Sequence, residues 1–221
     1  MDIKVKRTKD KKIKDKYINN KQINNMQINN MQIKNMQREE ARDRYKKLER
    51  EYIDLASLEI AKALFDMRWY KEARTIFCYM STEREVQTDK IINQAISDGK
   101  RIAIPRCLGN GIMESRIYFE DGRAYPLESG TLGIREPKIE NPLVDVSEID
   151  LAIIPCLSCD KEGNRLGHGA GYYDRFLSGK AGNKIRKVCL CFSKLLADFI
   201  HIDDNDIRMN AVLTEENTYY E

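Results

Sequence analysis

Between Arg165 and Arg175 the chain reads Arg-Leu-Gly-His-Gly-Ala-Gly-Tyr-Tyr-Asp-Arg. Gly167, Gly169 and Gly171 alternate with His168 and Ala170, and a helix start is predicted near Tyr172. Glycine admits positive φ and lets the backbone come close to a ligand. Successive N–H groups in such a loop, running into a helix N-terminus, form a seat for phosphate oxygens. Arg165 and Arg175 add positive charge there. Asp174 brings a carboxylate, the hard oxygen ligand that magnesium takes. Alternating glycines also build tight turns and lids, so the residue types by themselves leave phosphate binding and plain turn geometry both open. The string is not a Walker A loop, which closes on Gly-Lys-Ser/Thr, and its spacing is not that of the dinucleotide fingerprint.

Such a loop works only when a scaffold presents it. Apolar residues make up 42% of the 221 positions, enough for one core, and the length suits a single domain. Residues 34–50 are charged and rich in helix formers. A second helix is predicted over 55–66, with Leu55, Leu58, Ile60, Ala61, Leu64 and Phe65 forming a broad apolar face. Residues 75–80 read as a buried strand. Thr88 is placed as the N-cap of a helix that carries Ile91, Ile92 and Ala95 and ends near Gly99. Residues 101–105 are predicted as a short strand stopped by Pro105. Residues 151–155 repeat that form, and 187–192 read as a further buried strand. Apolar strands alternating with helices predict an α/β layered fold, with a largely parallel central sheet flanked by helices in a single domain.

Residues 1–33 differ in kind. Ile18, Ile23, Ile28 and Ile33 recur at a spacing of five, which holds one face of neither a helix nor a strand. A low-complexity, disordered basic tail is expected over 1–33 and the folded domain over 34–221. The tail holds eight Lys and one Arg against three Asp, a net +6, so the remaining residues carry −3 of the overall +3. A basic tail is the kind of segment that binds nucleic acid. This one has no stacking aromatic beyond Tyr17, so nucleic acid is not the expected partner.

No apolar run approaches the ~18 residues of a membrane span, and no apolar stretch of signal length opens the chain. A cytoplasmic location and no membrane partner are expected, with the six cysteines reduced. Cys156 and Cys159 have the spacing of a metal-ligand pair. Cys189 and Cys191 are separated by a single residue on an apolar strand. Buried thiols are the expected reading of all four.

The string from Gly163 through Arg175, Gly-Asn-Arg-Leu-Gly followed by Gly-x-Gly-Tyr-Tyr-Asp-Arg, resembles the signature of the 5-formyltetrahydrofolate cyclo-ligase family. Other segments are similar in order along the chain. Lys34 and Arg38 match the family's Lys-x-x-x-Arg pair. Glu85-Val86-Gln87-Thr88 looks like its Glu-Val-x-Thr segment, and 133–137 is similar to its Gly-Ile-x-Glu-Pro. Asp206 stands shortly before a final strand at 211–215. Departures are His168 where arginine or an aromatic is frequent, Ala170 for glycine, Asn210 for aspartate, and Cys156 and Cys159 for glycine and an aromatic.

The resemblance implies an ATP-dependent enzyme that closes 5-formyltetrahydrofolate to 5,10-methenyltetrahydrofolate, with Mg2+ as the metal and ADP and phosphate released through a phosphorylated formyl group. It implies ATP contacts from Lys34, Arg38, Arg165, Leu166, Gly167, His168, Gly169, Ala170, Gly171, Tyr172 and Tyr173, with Lys34 and Arg38 one turn apart on an exposed helix face. Arg165 and Asp174 are expected to be catalytic. Asp174 and Asp206 are expected to hold magnesium. Met80, Glu85 and Tyr172 are expected to contact the folate, the Glu85 carboxylate matching the paired donors of a pterin. A monomer is expected. The alternatives are another ATP- or sugar-phosphate-using enzyme on a related α/β fold, or a nucleic-acid-binding protein acting through the basic tail.

Overall fold

The computed structural model describes residues 30–130 and 133–221. Its first helix, α1 (Asn30–Lys46), begins inside the stretch expected to be tail. Ile33, the last isoleucine of the five-residue repeat, is buried. The expected boundary at 33/34 therefore falls within a helix, and the rest of the expected tail lies outside the described residues. α2 (Arg50–Asp66) starts earlier than expected and buries Ile53, Ala56, Ile60, Ala61 and Leu64. Leu55, expected on its apolar face, is 59% exposed. The short α3 (Arg68–Glu72) leads into β1 (Thr75–Cys78), a strand buried at every position.

Thr88 does precede α4 (Asp89–Ser97), but its hydroxyl does not cap that helix. It donates to Tyr79 O at 2.9 Å and accepts from Ser81 N at 3.2 Å, closing the loop after β1 on itself. The far end of α4 is a Schellman turn: Lys100 N bonds Ala95 O at 2.9 Å and Gly99 N bonds Ile96 O at 3.0 Å, with Gly99 at φ +72. β2 (Arg101–Gly109) runs straight through Pro105. Its pairing with β1 ends at Ala103, so beyond that point one edge of the strand needs no N–H donor and proline is tolerated.

β3 (Ile112–Glu120) returns antiparallel to β2, followed by β4 (Arg123–Ala124), β5 (Leu127–Ser129) and β6 (Arg135–Pro137). The sheet resumes with β7 (Leu151–Ile154). A small sheet follows from β8 (Ser158–Asp160) and β9 (Arg165–Leu166). Next come α5 (Tyr172–Phe176), α6 (Gly179–Gly182), β10 (Arg186–Leu190), β11 (Leu196–Ala197), β12 (Ala211–Leu213) and β13 (Thr218–Tyr220).

The main sheet has the order β13-β12-β10-β7-β1-β2-β3-β4. Its middle, β12-β10-β7-β1-β2, is parallel throughout. Antiparallel strands finish both edges. The expected α/β layered, largely parallel sheet in a single domain is what the chain forms. β1 and β7 read as continuous apolar runs because both of their faces are covered.

Two contacts aim the glycine loop. Phe77 on β1 stacks on Phe176 of α5, ring centroids 4.8 Å apart, which seats that short helix on the sheet. The buried Asp160 carboxylate accepts from Glu162 N, Asn164 N, Asn164 Nδ2 and Ile200 N at 2.8–3.0 Å, and so fixes the turn that feeds β9.

Candidate active site

α1 and the loop 165–174 face each other across a cavity of about 690 Å³. Met31, Lys34, Asn35, Arg38 and Arg42 line one wall at helical spacing. The opposite wall runs from Arg165 to Asp174, Pro155 at the end of β7 lies between, and Asp203 and Asp206 close one end. Strand order reverses at β1 and β7, since β2 follows on one side and β7 returns on the other. Ligands of open α/β sheets bind beyond the carboxyl ends of the strands at such a point.

Lys34 is not an exposed helix charge. It is only 7% exposed, and its ammonium lies 2.8 Å from Asp203 and also donates to Asp206. Two carboxylates thus converge on one positive charge, and this pair of hard oxygen donors suits a magnesium ion. Arg38 donates from Nε to Gly167 O at 3.1 Å and from Nη1 to Asn35 Oδ1 at 2.7 Å, bridging the two walls. Partial burial, and after it the neighbouring Arg42, lower the pKa of its guanidinium.

Asp174 is committed elsewhere. Its oxygens accept from Arg165 Nη2 at 2.9 and 3.0 Å, and one of them also takes Ile207 N at 3.2 Å. Arg165 in turn bonds Pro155 O at 3.3 Å and lies 5.5 Å from the Tyr173 ring. In this geometry Asp174 orients a buried guanidinium, and Asp206 with Asp203 is the better-formed pair for a metal. Asp203 was absent from the expected set.

Gly169 stands at φ +107 and Gly171 at φ +67, so the loop does use the conformations that glycine allows. Arg175 does not add charge to the cleft wall. It donates to Gly111 O at 2.8 Å and to Ala170 O, tying the loop to the β2–β3 turn. His168 lines the cavity and is still exposed to solvent there; partial enclosure by the cleft walls, with Arg42, Arg165 and Arg38 acting in the same direction, holds its value below that of an ordinary imidazole.

Leu166, Gly167, Ala170, Tyr172 and Tyr173 all line the cavity. Met80 and Glu85 do not. Glu85 borders a small adjoining crevice that shares Pro155 with the cavity, and its carboxylate accepts from Thr82 N and Oγ1 at 2.8 and 2.9 Å. Lining residues missed from the sequence are Met31, Asn35, Arg42, Glu39, Pro155 and Asp203. The first three share the face of Lys34 and Arg38 at intervals of three and four, a signal that helical spacing carries.

A cleft in which Lys34, Arg38, Arg42 and Arg165 are interleaved with four carboxylates around a glycine loop, at the carboxyl edge of a parallel sheet, is of the class that α/β enzymes use for anionic ligands. The model of the 5-formyltetrahydrofolate cyclo-ligase family matches residues 30–215, and the chain belongs to that family. It is 31% identical over 183 residues to the probable 5-formyltetrahydrofolate cyclo-ligase of Schizosaccharomyces pombe, covering 77% of this chain and 89% of that one. It is 28% identical over 188 residues to the mouse 5-formyltetrahydrofolate cyclo-ligase, covering 81% and 92%. The structure of Aquifex aeolicus 5,10-methenyltetrahydrofolate synthetase superposes with a TM-score of 0.72 at 25% identity, over 85% of this chain and 92% of that one. Among the described residues, no helix is long and apolar enough to cross a membrane.

Proposed function

We propose that this chain is a 5-formyltetrahydrofolate cyclo-ligase that uses ATP to form 5,10-methenyltetrahydrofolate. The observation that carries the reading is the cleft itself: Lys34, Arg38, Arg42 and Arg165 gather around a glycine loop in a chain of this family.

The formyl group is amide-like, and its oxygen is a poor leaving group. Transfer of the γ-phosphoryl of ATP to that oxygen, with loss of ADP, makes it a good one. The neighbouring folate nitrogen then attacks the formyl carbon. The carbon–oxygen bond breaks, phosphate departs with that oxygen, and the attacking nitrogen loses its proton. Such transfer requires positioning and charge neutralisation more than covalent help from the protein.

In this proposal Arg38 and Lys34 contact phosphate oxygens from α1, and the backbone of residues 167–171 contacts them from the other wall. Arg165, held by Asp174, stabilises charge on the transferring group. Asp206 and Asp203 would hold magnesium, which would supply neutralisation of phosphate charge, and Lys34 beside them would contact the nucleotide. Glu85, beside the adjoining crevice, and Met80, two residues past β1, bind the pterin, and Tyr172 contacts the folate from the loop. The test is absorbance of methenyltetrahydrofolate that grows only when ATP and 5-formyltetrahydrofolate are both present, with one ADP per product. ATP hydrolysis that ignores 5-formyltetrahydrofolate would favour the other α/β phosphate chemistry.

A further inference from the structure

Four of the six cysteines meet behind the cleft. Cys156 follows β7, Cys159 sits on β8, Cys189 lies on β10, and Cys191 follows it. The Sγ atoms of Cys156, Cys159 and Cys189 all lie within 4.8 Å of one another. Cys191 stands two residues beyond Cys189 and borders the same small crevice as Cys156. Residues i and i+2 of a strand share a face, so Cys191, just past the end of β10, continues the face on which Cys189 meets the Cys156–Cys159 pair. None of the four is in a disulfide, and none is more than 8% exposed.

We propose that Cys156, Cys159, Cys189 and Cys191 form a tetrahedral thiolate site for one zinc ion at the carboxyl ends of β7 and β10. Thiolates about 2.3 Å from a tetrahedral zinc lie roughly 3.8 Å apart, so closing the three-thiol core takes side-chain shifts of no more than about an ångström. Cys191 completes the set by turning from Phe192 O, which its thiol meets at 3.4 Å. Binding releases the thiol protons and leaves a net charge of −2 on four thiolates and one Zn2+.

A compensating cation is already in place. The Arg165 side chain is 5% exposed and close enough for its charge to act on Cys156 and Cys189. Its Nε–H is buried without a hydrogen-bond acceptor among the described residues. A zinc-bound thiolate is an acceptor of the kind that outer ligand contacts use. An approach exists as well, since Cys156 and Cys191 border the crevice beside Glu85. Simple hydrophobic packing accounts for buried cysteines singly. It gives no reason for four of them, from three segments, to meet beside an unpaired guanidinium N–H.

The test uses the full chain produced with zinc in the medium, desalted, and analysed for metal by mass spectrometry. One zinc per chain is expected. Replacement by cobalt should give intense thiolate-to-metal charge-transfer bands in the near ultraviolet, with strong visible bands of a tetrahedral ion. Cys159→Ser should lose the metal, while Cys78→Ser, a buried thiol outside the group, should keep it. If Cys159→Ser does not fold, the cobalt spectrum of the unaltered chain decides. Zinc well below one per chain, or cobalt bound without thiolate bands, overturns the proposal. So does a pair of the four thiols found joined as a disulfide in freshly purified protein.

Discussion

Asp174 and Arg165 hold each other in a two-pronged pair at 2.9–3.0 Å, and the partner on the wall is 5% exposed. Truncating Asp174 to Ala leaves a buried guanidinium unmatched and free to swing from the cleft. Turnover is expected to fall roughly 10²-fold, as misplacement of about an ångström does. Asp174→Asn, which keeps one acceptor, should recover part of it. Initial rates and melting temperatures of both variants check this, and unchanged turnover in the alanine variant would sink the assignment. His168 supplies a pH signature. Its folded-state value is lowered, so the unfolded chain takes up the proton first. The stability due to the neutral ring is present above about pH 6.5 and is lost as pH falls through that value and then through the folded one. Between pH 7.5 and 5 the melting temperature should fall more steeply for the unaltered chain than for His168→Gln. Parallel curves would remove His168 from the account. At this scale most of the cleft lining was legible, because it falls in one glycine-rich string and on one face of α1. What stayed hidden was pairing: nothing in the spacing tells that Lys34 meets Asp203, 169 positions away in the chain, or that Arg175 serves the backbone of Gly111.

Strand β9, the glycine loop and α5 act as one unit, clamped by Asp160 at one end and by Phe77 under Phe176 at the other. Gly169 is the sensitive joint. At φ +107 it lies outside even the left-handed region that other residues visit, and a methyl group there would stand 3.4 Å from the Arg38 guanidinium. Gly169→Ala should therefore strain the loop by about 1–3 kcal/mol. The Michaelis constant for ATP should rise while the sheet stays intact. Circular dichroism unchanged from the parent, with ATP kinetics also unchanged, would show that the loop does not shape the nucleotide site. The central strands were legible because parallel strands covered on both faces are plain apolar runs. The edge ribbons were not, since β3 mixes buried with half-buried positions, β4 is exposed and β13 is mostly half-buried, so none of them is a plain apolar run. Pro105 misled for a related reason: whether proline ends a strand depends on whether a neighbour needs its N–H, and pairing decides that. The cysteine pairs were legible in principle. Two residues separated by one on a strand share a face, so Cys189-x-Cys191 can meet a second pair from a neighbouring segment.

The whole molecule divides its labour between a sheet with a continuous apolar core and a polar helix, α1, laid over the edge where chemistry occurs. α1 is held chiefly by polar contacts. Gln37 donates to Phe199 O at 2.8 Å and accepts from His201 N at 3.0 Å, and Arg44 reaches Leu196 O at 3.1 Å. Ala41 adds a small apolar cluster with Leu157, Leu166 and Ile200. Arg84 bonds the carbonyls of Tyr45, Lys46 and Leu48 and closes its far end. Lys34→Ala should then act twice. It removes the proposed phosphate contact, worth about 1.5–3 kcal/mol, for a roughly 10- to 150-fold rise in the Michaelis constant for ATP. It also leaves Asp203 and Asp206 facing each other, so the melting temperature should drop as well. A truncation series separates the tail from this helix. Removal of residues 1–29 should leave turnover and melting temperature as they are. Removal of 1–33 takes the buried Ile33 and the first turn of α1, and should lower the melting temperature while activity survives at saturating ATP. Removal of 1–38 takes Lys34, Gln37 and Arg38 together, and should abolish ATP use while the sheet still folds. Turnover of ATP by the longest truncation would show that one wall of the cleft suffices. Loss of activity in the shortest would assign a role to the basic segment that α1 does not explain.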